Sequence, residues 1–461
     1  MIYIGALISV LIIFLTAYWL IKKHNPQAVL LVTGLIMLGL SLILKIVPVP
    51  ISIPTGSGVF DLFKIIEETF SGNLVRVGLM IMTIGGYVAY MKQIKASDAL
   101  VYVSMKPLSL FKRFPYIASV IVIPIGQLLF ICTPSAVGLG LLLVVSVFPI
   151  LVGLGVSRLT AVSVISACTV FDMGPGSANT SKASELVGMS NVGYFLEHQL
   201  TLTIPATILL MVLYYLTNRY FDRKDVAKGK STFSETPSVS SFKVEVPLIY
   251  AILPVLPLIL LIIFSPYVHL FDPPIELDTT TAMFISMVVA MVFELIRGRM
   301  KIKNFFSDIK AFWNGMGKVF ADVVTLIVCA EIFSKGLISL GFIDALVDGS
   351  THIGLSGIAI GILITILIFF AAVLMGSGNA SFFSFGPLIP NIAQKVGLSP
   401  VDMILPMQLS SSMGRAISPI AGVIIAIAEI AGVSPVELAK RNIIPLGVTL
   451  LFIITYNYIM I

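Results

Sequence analysis

Charged residues make up only 11% of this 461-residue chain. A soluble domain carries about a quarter, so the wetted surface that a soluble fold of this length needs cannot be built here. Cysteine is nearly missing. Cys132, Cys168 and Cys329 all lie in apolar stretches without metal-ligand spacing. A disulfide framework and a zinc site are therefore excluded, and we expect three small buried hydrophobes. The four histidines, His24, His198, His269 and His352, are scattered, the last three best placed in outer loops. HExxH, a GxGxxG in a βαβ setting and the P-loop are absent, which removes the common enzyme signatures and a self-contained ATP-driven pump. No cofactor and no metal are expected. No basic run interleaved with aromatics accompanies the net charge of +6, so nucleic acid is not an expected partner.

What the chain has is apolar length. Hydrophobic residues make up 57% and mean hydropathy is +1.04. Runs long enough to cross a bilayer recur from end to end, so the lipid bilayer is the expected solvent. The first run, Ile2 to Ile21, exceeds the apolar region of a cleaved signal and is followed by Lys22 and Lys23, so a retained helix is expected. Further spans are expected at about 27–47, 72–91, 115–156 (interrupted near Cys132 to Ser135), 159–190 (interrupted at Met173 to Thr180) and 199–217. A second set follows at 247–264, 279–296, 316–338, 354–396 (broken at Gly376 to Asn379), 400–431 (broken at Ser410 to Pro419) and 443–461. The longest polar interval, Arg219 to Glu245, lies between the two sets.

The sets repeat one another. Asp98-Ala99-Leu100-Val101 with Ser104 reappears as Asp344-Ala345-Leu346-Val347 with Ser350. Met173-Gly174 matches Met413-Gly414. Gly188-x-Ser190-x-Val192 before Ile204-Pro205 matches Gly432-x-Ser434-x-Val436 before Ile444-Pro445. The shared order carries the repeat, because each match alone is weak. We expect a first repeat at 1–218, a linker at 219–245 and a second repeat at 246–461.

Charge suggests that the repeats are inverted. Lys92, Lys95, Lys106, Lys112 and Arg113 follow the third span of the first repeat, where the second has Asp344, Asp348 and His352. Before the third span the bias reverses, with Asp61, Glu67 and Glu68 (beside Lys64) against Arg297, Arg299, Lys301, Lys303 and Lys310. Before the last span Glu197 and His198 oppose Lys440 and Arg441. By the positive-inside rule, both termini are expected outside and the linker in the cytoplasm of a bacterial inner membrane. Lys395 departs from this scheme. The expected fold is an all-α polytopic membrane protein of two inverted-topology repeats, each with about five transmembrane helices, a re-entrant hairpin and a broken helix. That is a secondary-transporter architecture.

Gly, Pro, Ser and Asn at membrane depth release backbone groups that lipid cannot satisfy, so the four interruptions must be packed in protein or face a cavity. The helix ends they create present free N–H groups to anions. Candidate substrate groups are Thr133 and Ser135 at the first tip, Ser177 and Asn179 at the first break, and Ser377, Gly378 and Asn379 at the second tip. Ser410, Ser411, Ser412, Gly414 and Arg415 complete the set at the second break. Arg415 stands alone in a neutral stretch, where a charge costs about 2.5 kcal/mol or more. An anionic substrate, a structural ion pair with Asp172 or snorkelling to an interface would each account for it. Asp172 is the candidate for a coupling ion, proton or sodium, or for a counter-charge. Thr180 could add a hydrogen bond. Lys182 is a second candidate cation placed near the outer surface, and Glu331 and Asp322 are expected to face the protein interior.

The passages MTIGGYVAYMKQIKASDALVYVSMKPL at 82–108, GSGNASFFSF at 376–385 and MGRAISPIAGVIIAIAEIAGVSPVELAKR at 413–441 resemble the anaerobic C4-dicarboxylate carrier family of the Dcu C type. The resemblance implies exchange, uptake or efflux of fumarate, succinate and related diacids during anaerobic growth. It maps Ser377, Gly378 and Asn379 to the second tip, and Gly414, Arg415 and Ser418 to the second broken helix. More remotely it implies an ion-transporter-superfamily-like scaffold, a mobile transport domain that moves as an elevator, and a homodimer. The function expected is secondary active transport of C4-dicarboxylates by exchange or proton-coupled symport. A carrier of the same fold for another small organic anion, such as a monocarboxylate or amino acid, remains the alternative, followed by an anion channel or an integral-membrane enzyme.

Overall fold

The computed structural model describes residues 2–46, 48–111, 113–227, 244–268, 275, 277–297, 302–352 and 355–459. Most of the expected linker (228–243) lies outside the described residues, as do Lys112, His269, Arg299 and Lys301 and the side chains of Lys303 and His352. All regular structure among the described residues is helical. Among the described residues ten helices are long and apolar enough to cross a membrane, or eleven if one bent pair counts as a span. Ile4, Leu7, Leu11 and Phe14 on the first helix are exposed, an apolar face that lipid would cover.

The first half runs α1 (Ile2–Ile21), α2 (Pro26–Ile43), α3 (Gly58–Asn73), α4 (Leu79–Gln93), α5 (Ala96–Met105), α6 (Pro115–Cys132) and α7 (Ala136–Ser146). It continues with α8 (Phe148–Gly153), α9 (Arg158–Ala167), α10 (Ala178–Val187), α11 (Asn191–Gly193) and α12 (Leu200–Ala227). The second half runs α13 (Leu256–Ile263), α14 (Thr279–Arg297), α15 (Ile302–Val319), α16 (Thr325–Ser339), α17 (Phe342–His352) and α18 (Gly357–Met375). It ends with α19 (Gly378–Phe385), α20 (Ile389–Val396), α21 (Pro400–Ile417), α22 (Gly422–Ala431) and α23 (Pro435–Ile459). A π-helical turn, Leu74–Gly78, joins α3 to α4, and its counterpart Phe320–Val324 joins α15 to α16.

Two bundles result, each drawn from both halves. In one, α2 packs on α16, α4 on α15 and α14, and α1 on α17. In the other, α12 packs on α23, α18 on α21, and α22 on α7 and α9. Small residues permit the close crossings found between membrane helices. A Cβ on Gly34 would stand 2.8 Å from the Phe333 backbone.

Several boundaries differ from expectation. Helix α3 begins at Gly58, well before the apolar window at 72–91, because Asp61, Lys64, Glu67 and Glu68 hide its head from a hydropathy count. Residues 247–264 form a 3-10 turn and the eight-residue α13, too short for a candidate span, with Pro254 and Pro257 interrupting them. Arg219–Ala227 is not linker but the end of α12. It is fixed by the buried Asp222, which accepts from Arg441 Nη1 at 2.5 Å, Ser157 Oγ at 2.8 Å and Thr160 Oγ1 at 2.8 Å. The second break is also shorter than expected. Ser410 to Gly414 are helical within α21, and only Ser418–Ala421 are not. Pro419 disfavours helical geometry at Ser418, whose ψ is 118°. Lys395 pairs with Asp344, so the cation that broke the charge scheme is matched locally.

Candidate functional site

Three short helices begin at the interruptions with a serine as N-cap, the residue type that satisfies orphan N–H groups. Ser135 caps α7 by accepting from Gly138 N at 3.2 Å. Ser177 caps α10 by accepting from Asn179 N at 3.1 Å and Thr180 N at 3.2 Å. Ser377 caps α19 by accepting from Ala380 N at 3.2 Å. The fourth, α22, starts after Ala421 with no side-chain cap. Its positive end therefore keeps free donors.

These interruptions lie together. The first tip, Thr133 to Ser135, faces the first break, and a Cβ on Gly176 would stand 3.7 Å from Pro134. The second tip turns through Gly376, whose φ of +67° suits glycine, and lies on the second break. A Cβ on Gly378 would meet the Ser411 carbonyl at 2.9 Å. The halves join where Arg415 Nη2 donates to the Thr169 carbonyl at 2.6 Å and Gln408 Nε2 donates to the Asp172 carbonyl at 2.9 Å.

Asp172 is buried and held by its own loop. Its Oδ1 accepts from Ser177 Oγ at 2.6 Å and its Oδ2 from Asn179 Nδ2 at 3.1 Å. Arg415 forms no direct ion pair among the described residues, although the Asp172 carboxylate stands near enough for the two charges to act on one another. The Arg415 Nε, Asn179 Oδ1, Ser412 Oγ and Ser418 Oγ atoms are buried without hydrogen-bond partners. Unsatisfied buried polar atoms are costly, and three of these four, on Ser412, Arg415 and Ser418, fall within seven residues at the second break, where a ligand or water would satisfy them.

A cavity of about 750 Å³ reaches Asp172 and the two tips from one side, while Arg415, Ser412 and Ser418 lie behind its wall and do not line it. Thr133, Ser135, Asp172, Gly176, Ala178 and Asn379 line its inner end. Its walls come from α4, α7 and the α15–α16 turn. Lys92, Lys95, Asp98 and Glu245 line it at the C-terminal end of α4, and Lys318 and Asp322 line it deeper, beside the stretch of α4 around Ile81 to Gly85. On α5, outside the spans, burial holds the Asp98 carboxyl above its ordinary value, opposed by Lys95 at 3.9 Å.

The expected site residues thus divide. Thr133, Ser135, Asp172 and Asn379 share the cavity wall; Ser177 and Asn179 stand directly behind, on Asp172. Ser377 and Gly378 form the second tip against α21. Ser410 and Ser411 turn back to the Met407 and Gln408 carbonyls, and Gly414 packs so closely on α18 that a Cβ would lie 2.4 Å from the Phe369 carbonyl. Lys182 is buried in protein, 1% exposed.

Sequence reasoning passed over the buried amides. Gln408 Oε1 accepts from Tyr194 OH at 2.9 Å and Gln199 Nε2 at 3.0 Å, while Gln199 Oε1 accepts from Gly174 N at 3.0 Å. This network fixes the first break against α21. Its signal was available: a neutral amide inside an apolar span has few roles other than such a bond.

Comparison with known proteins now bears on this geometry. The family described as C4-dicarboxylate anaerobic carrier matches residues 4–461. The probable anaerobic C4-dicarboxylate transporter DcuC of Vibrio cholerae is 34% identical over 450 residues, 97% of this chain and 96% of that protein. The anaerobic C4-dicarboxylate transporter DcuC of Escherichia coli is 32% identical over 464 residues, 100% of this chain and 97% of that protein. Among solved structures, MtrF of Neisseria gonorrhoeae, described with a class of antimetabolite efflux pumps, superposes with a TM-score of 0.62 at 13% identity, covering 96% of both chains. The YdaH transporter of Alcanivorax borkumensis does so at 0.62 and 14% identity, covering 94% of this chain and 98% of that one. These two likenesses show the fold.

Proposed function

This chain belongs to the C4-dicarboxylate anaerobic carrier family, and from that premise we propose that it is a secondary active transporter of C4-dicarboxylates such as fumarate, succinate and malate, working by exchange or proton-coupled symport. The observation that carries the reading is the Arg415 guanidinium. It stands among four helix interruptions, bonded to a backbone carbonyl and, among the described residues, to no carboxylate. A guanidinium that shares its surroundings with Asp172 yet contacts no carboxylate directly is suited to a substrate carboxylate, which it can hold through two parallel bonds.

Arg415 binds one carboxylate, with the uncapped start of α22 and the free Ser412 and Ser418 hydroxyls beside it. The second carboxylate takes the N-terminal ends at Ser135 and Ser377 with Thr133 and Asn379. Gly378 and Gly414 let the second tip and α18 approach α21, while Ser410 and Ser411 support that packing. Asp172, with Ser177 and Asn179, carries the coupling proton or sodium. The two halves, 1–218 and 246–461, act as inverted repeats in a homodimer, with both termini outside. The repeated order of helix, π-turn, helix supports this, as do the opposed charges. In that orientation Lys92 and Lys95 put the cavity mouth in the cytoplasm.

The test is counterflow. Proteoliposomes loaded with unlabelled succinate should accumulate labelled fumarate, and empty ones should not. Stronger inhibition by a monocarboxylate than by succinate would shift the reading to another organic anion. Loss of any dependence on internal substrate would point to a channel.

A further inference from the structure

Outside the site, five charged side chains meet within the membrane-spanning part. On α10, Lys182 Nζ lies 2.5 Å from Glu185 Oε2 and 3.5 Å from Glu331 Oε2 on α16. Arg76, in the first π-helical turn, places Nη1 3.1 Å from Glu185 Oε1 and Nη2 3.5 Å from Glu331 Oε1. Lys335 reaches Glu331 Oε1 at 3.5 Å and donates to Thr69 Oγ1 at 2.9 Å. Asn73 donates to Glu331 Oε2 at 2.9 Å and accepts from Lys182 Nζ at 3.4 Å.

We propose that this network is the gate that closes the site on the face opposite the cavity, with Lys182 and Glu331 as its central pair. Helix α10 is the element between the two faces. Its first turn carries Asn179 and touches the cavity at Ala178, and Lys182 follows four residues on, about 6 Å along the axis at 1.5 Å per residue. Both charges on α10 are tied to the other bundle, Lys182 to Glu331 on α16 and Glu185 to Arg76 in the turn before α4. For the site to open on that face, α10 must leave both, and these ion pairs are what it must break. Arg76 lies in the π-helical turn, a deformation frequent at functional sites.

The charge count sets the direction of the test. Three cations face two carboxylates, so Glu331→Gln leaves three against one. Repulsion then drives α10 away from α16. The inference rests on the transport reading but not on the substrate. Labelling is followed without substrate, so failure of the gate and failure of the dicarboxylate assignment are separable.

With Cys132, Cys168 and Cys329 replaced by alanine, Val88→Cys reports the cavity wall. Met80→Cys, which does not line the cavity and whose native sulfur lies 3.3 Å from Asn191 Nδ2 just beyond the far end of α10, reports the network's side. An impermeant thiol reagent is applied to vesicles of each orientation. Glu331→Gln should slow labelling at Val88→Cys and speed it at Met80→Cys, each by about tenfold, while Glu331→Asp stays near the parent. Unchanged rates at both positions, with only a loss of thermal stability, would make the network a static pin and overturn the proposal. If Glu331→Gln does not fold, Arg76→Gln, at a side chain 50% exposed, should move both rates in the same directions. Unchanged or reversed rates there overturn it equally.

Discussion

The two hairpin tips are built alike and placed differently. Each ends a long helix, turns within a few residues and starts a short helix at a serine cap. The first opens on the cavity, which runs along α7 past Gly138, Leu139, Leu142 and Val145. The second is packed in: α19 lies on α16, with Phe385 edge-on to Phe333 at 6.5 Å, and its start presses on Ser411. Of its tip residues only Asn379 lines the cavity. Two tips of like build thus form an asymmetric pair, one open to the cavity and one sealed by packing. A carrier with two such tips needs that asymmetry in any single state, because a site open at both would leak.

The adjoining breaks are equally unlike, and mutation should expose the difference. The first carries a carboxylate satisfied by two side chains, the second a cation satisfied by one carbonyl. The largest effect should come from Arg415→Gln. Truncating one member of a buried charged contact costs about 2–5 kcal/mol, so counterflow should fall by about two orders of magnitude while membrane insertion is retained. Near-normal counterflow would remove Arg415 from the site. Asp172→Asn keeps one hydrogen bond and sets an amide donor against Asn179 Nδ2, a loss of about 1–3 kcal/mol. Exchange should drop about tenfold and the response to an imposed pH gradient should vanish. A retained response would assign coupling elsewhere.

Alanine at matched glycines sharpens the contrast between the tips. At Gly378 the new Cβ would stand 2.9 Å from a backbone oxygen, and at Gly138 2.8 Å from the Ser135 hydroxyl. Backbone cannot yield as a rotatable hydroxyl can. Gly378→Ala should therefore cost about 1–3 kcal/mol, lower the melting temperature in detergent and slow transport. Gly138→Ala should be milder on both measures, and equal losses would refute the packing difference. The smallest effects belong to the caps. Ser135→Ala and Ser377→Ala should each cost about 1 kcal/mol of stability. Ser135→Ala should also raise the KM for substrate from the cavity side more than Ser377→Ala does.

Much of this was legible in the residues. The sparse charge and long apolar runs required a membrane protein, Thr133-Pro134-Ser135 and Gly376-Ser377 marked the tips, and Arg415 stood out because nothing near it in sequence could neutralise it. The head of α3 was hidden because a helix can carry Asp61, Lys64 and Glu67 along an exposed edge and still bury Ile65 and Thr69. The extent of the second break was misjudged for a related reason. Three serines in succession look like an interruption, yet Ser410 and Ser411 satisfy their hydroxyls on the preceding turn and leave the helix intact.

The sequence by itself determined that the chain is helical and that lipid is its solvent, because hydropathy and breaks are local properties read along one dimension. Only the tertiary structure decided which polar groups share a cavity. It paired Lys182 with Glu331, bonded Gln408 to the Asp172 loop, left Arg415 without a carboxylate and sealed one of two similar tips. Those outcomes depend on partners far apart in the chain, and a buried charge or amide takes whichever partner the packing of helices brings within hydrogen-bond reach.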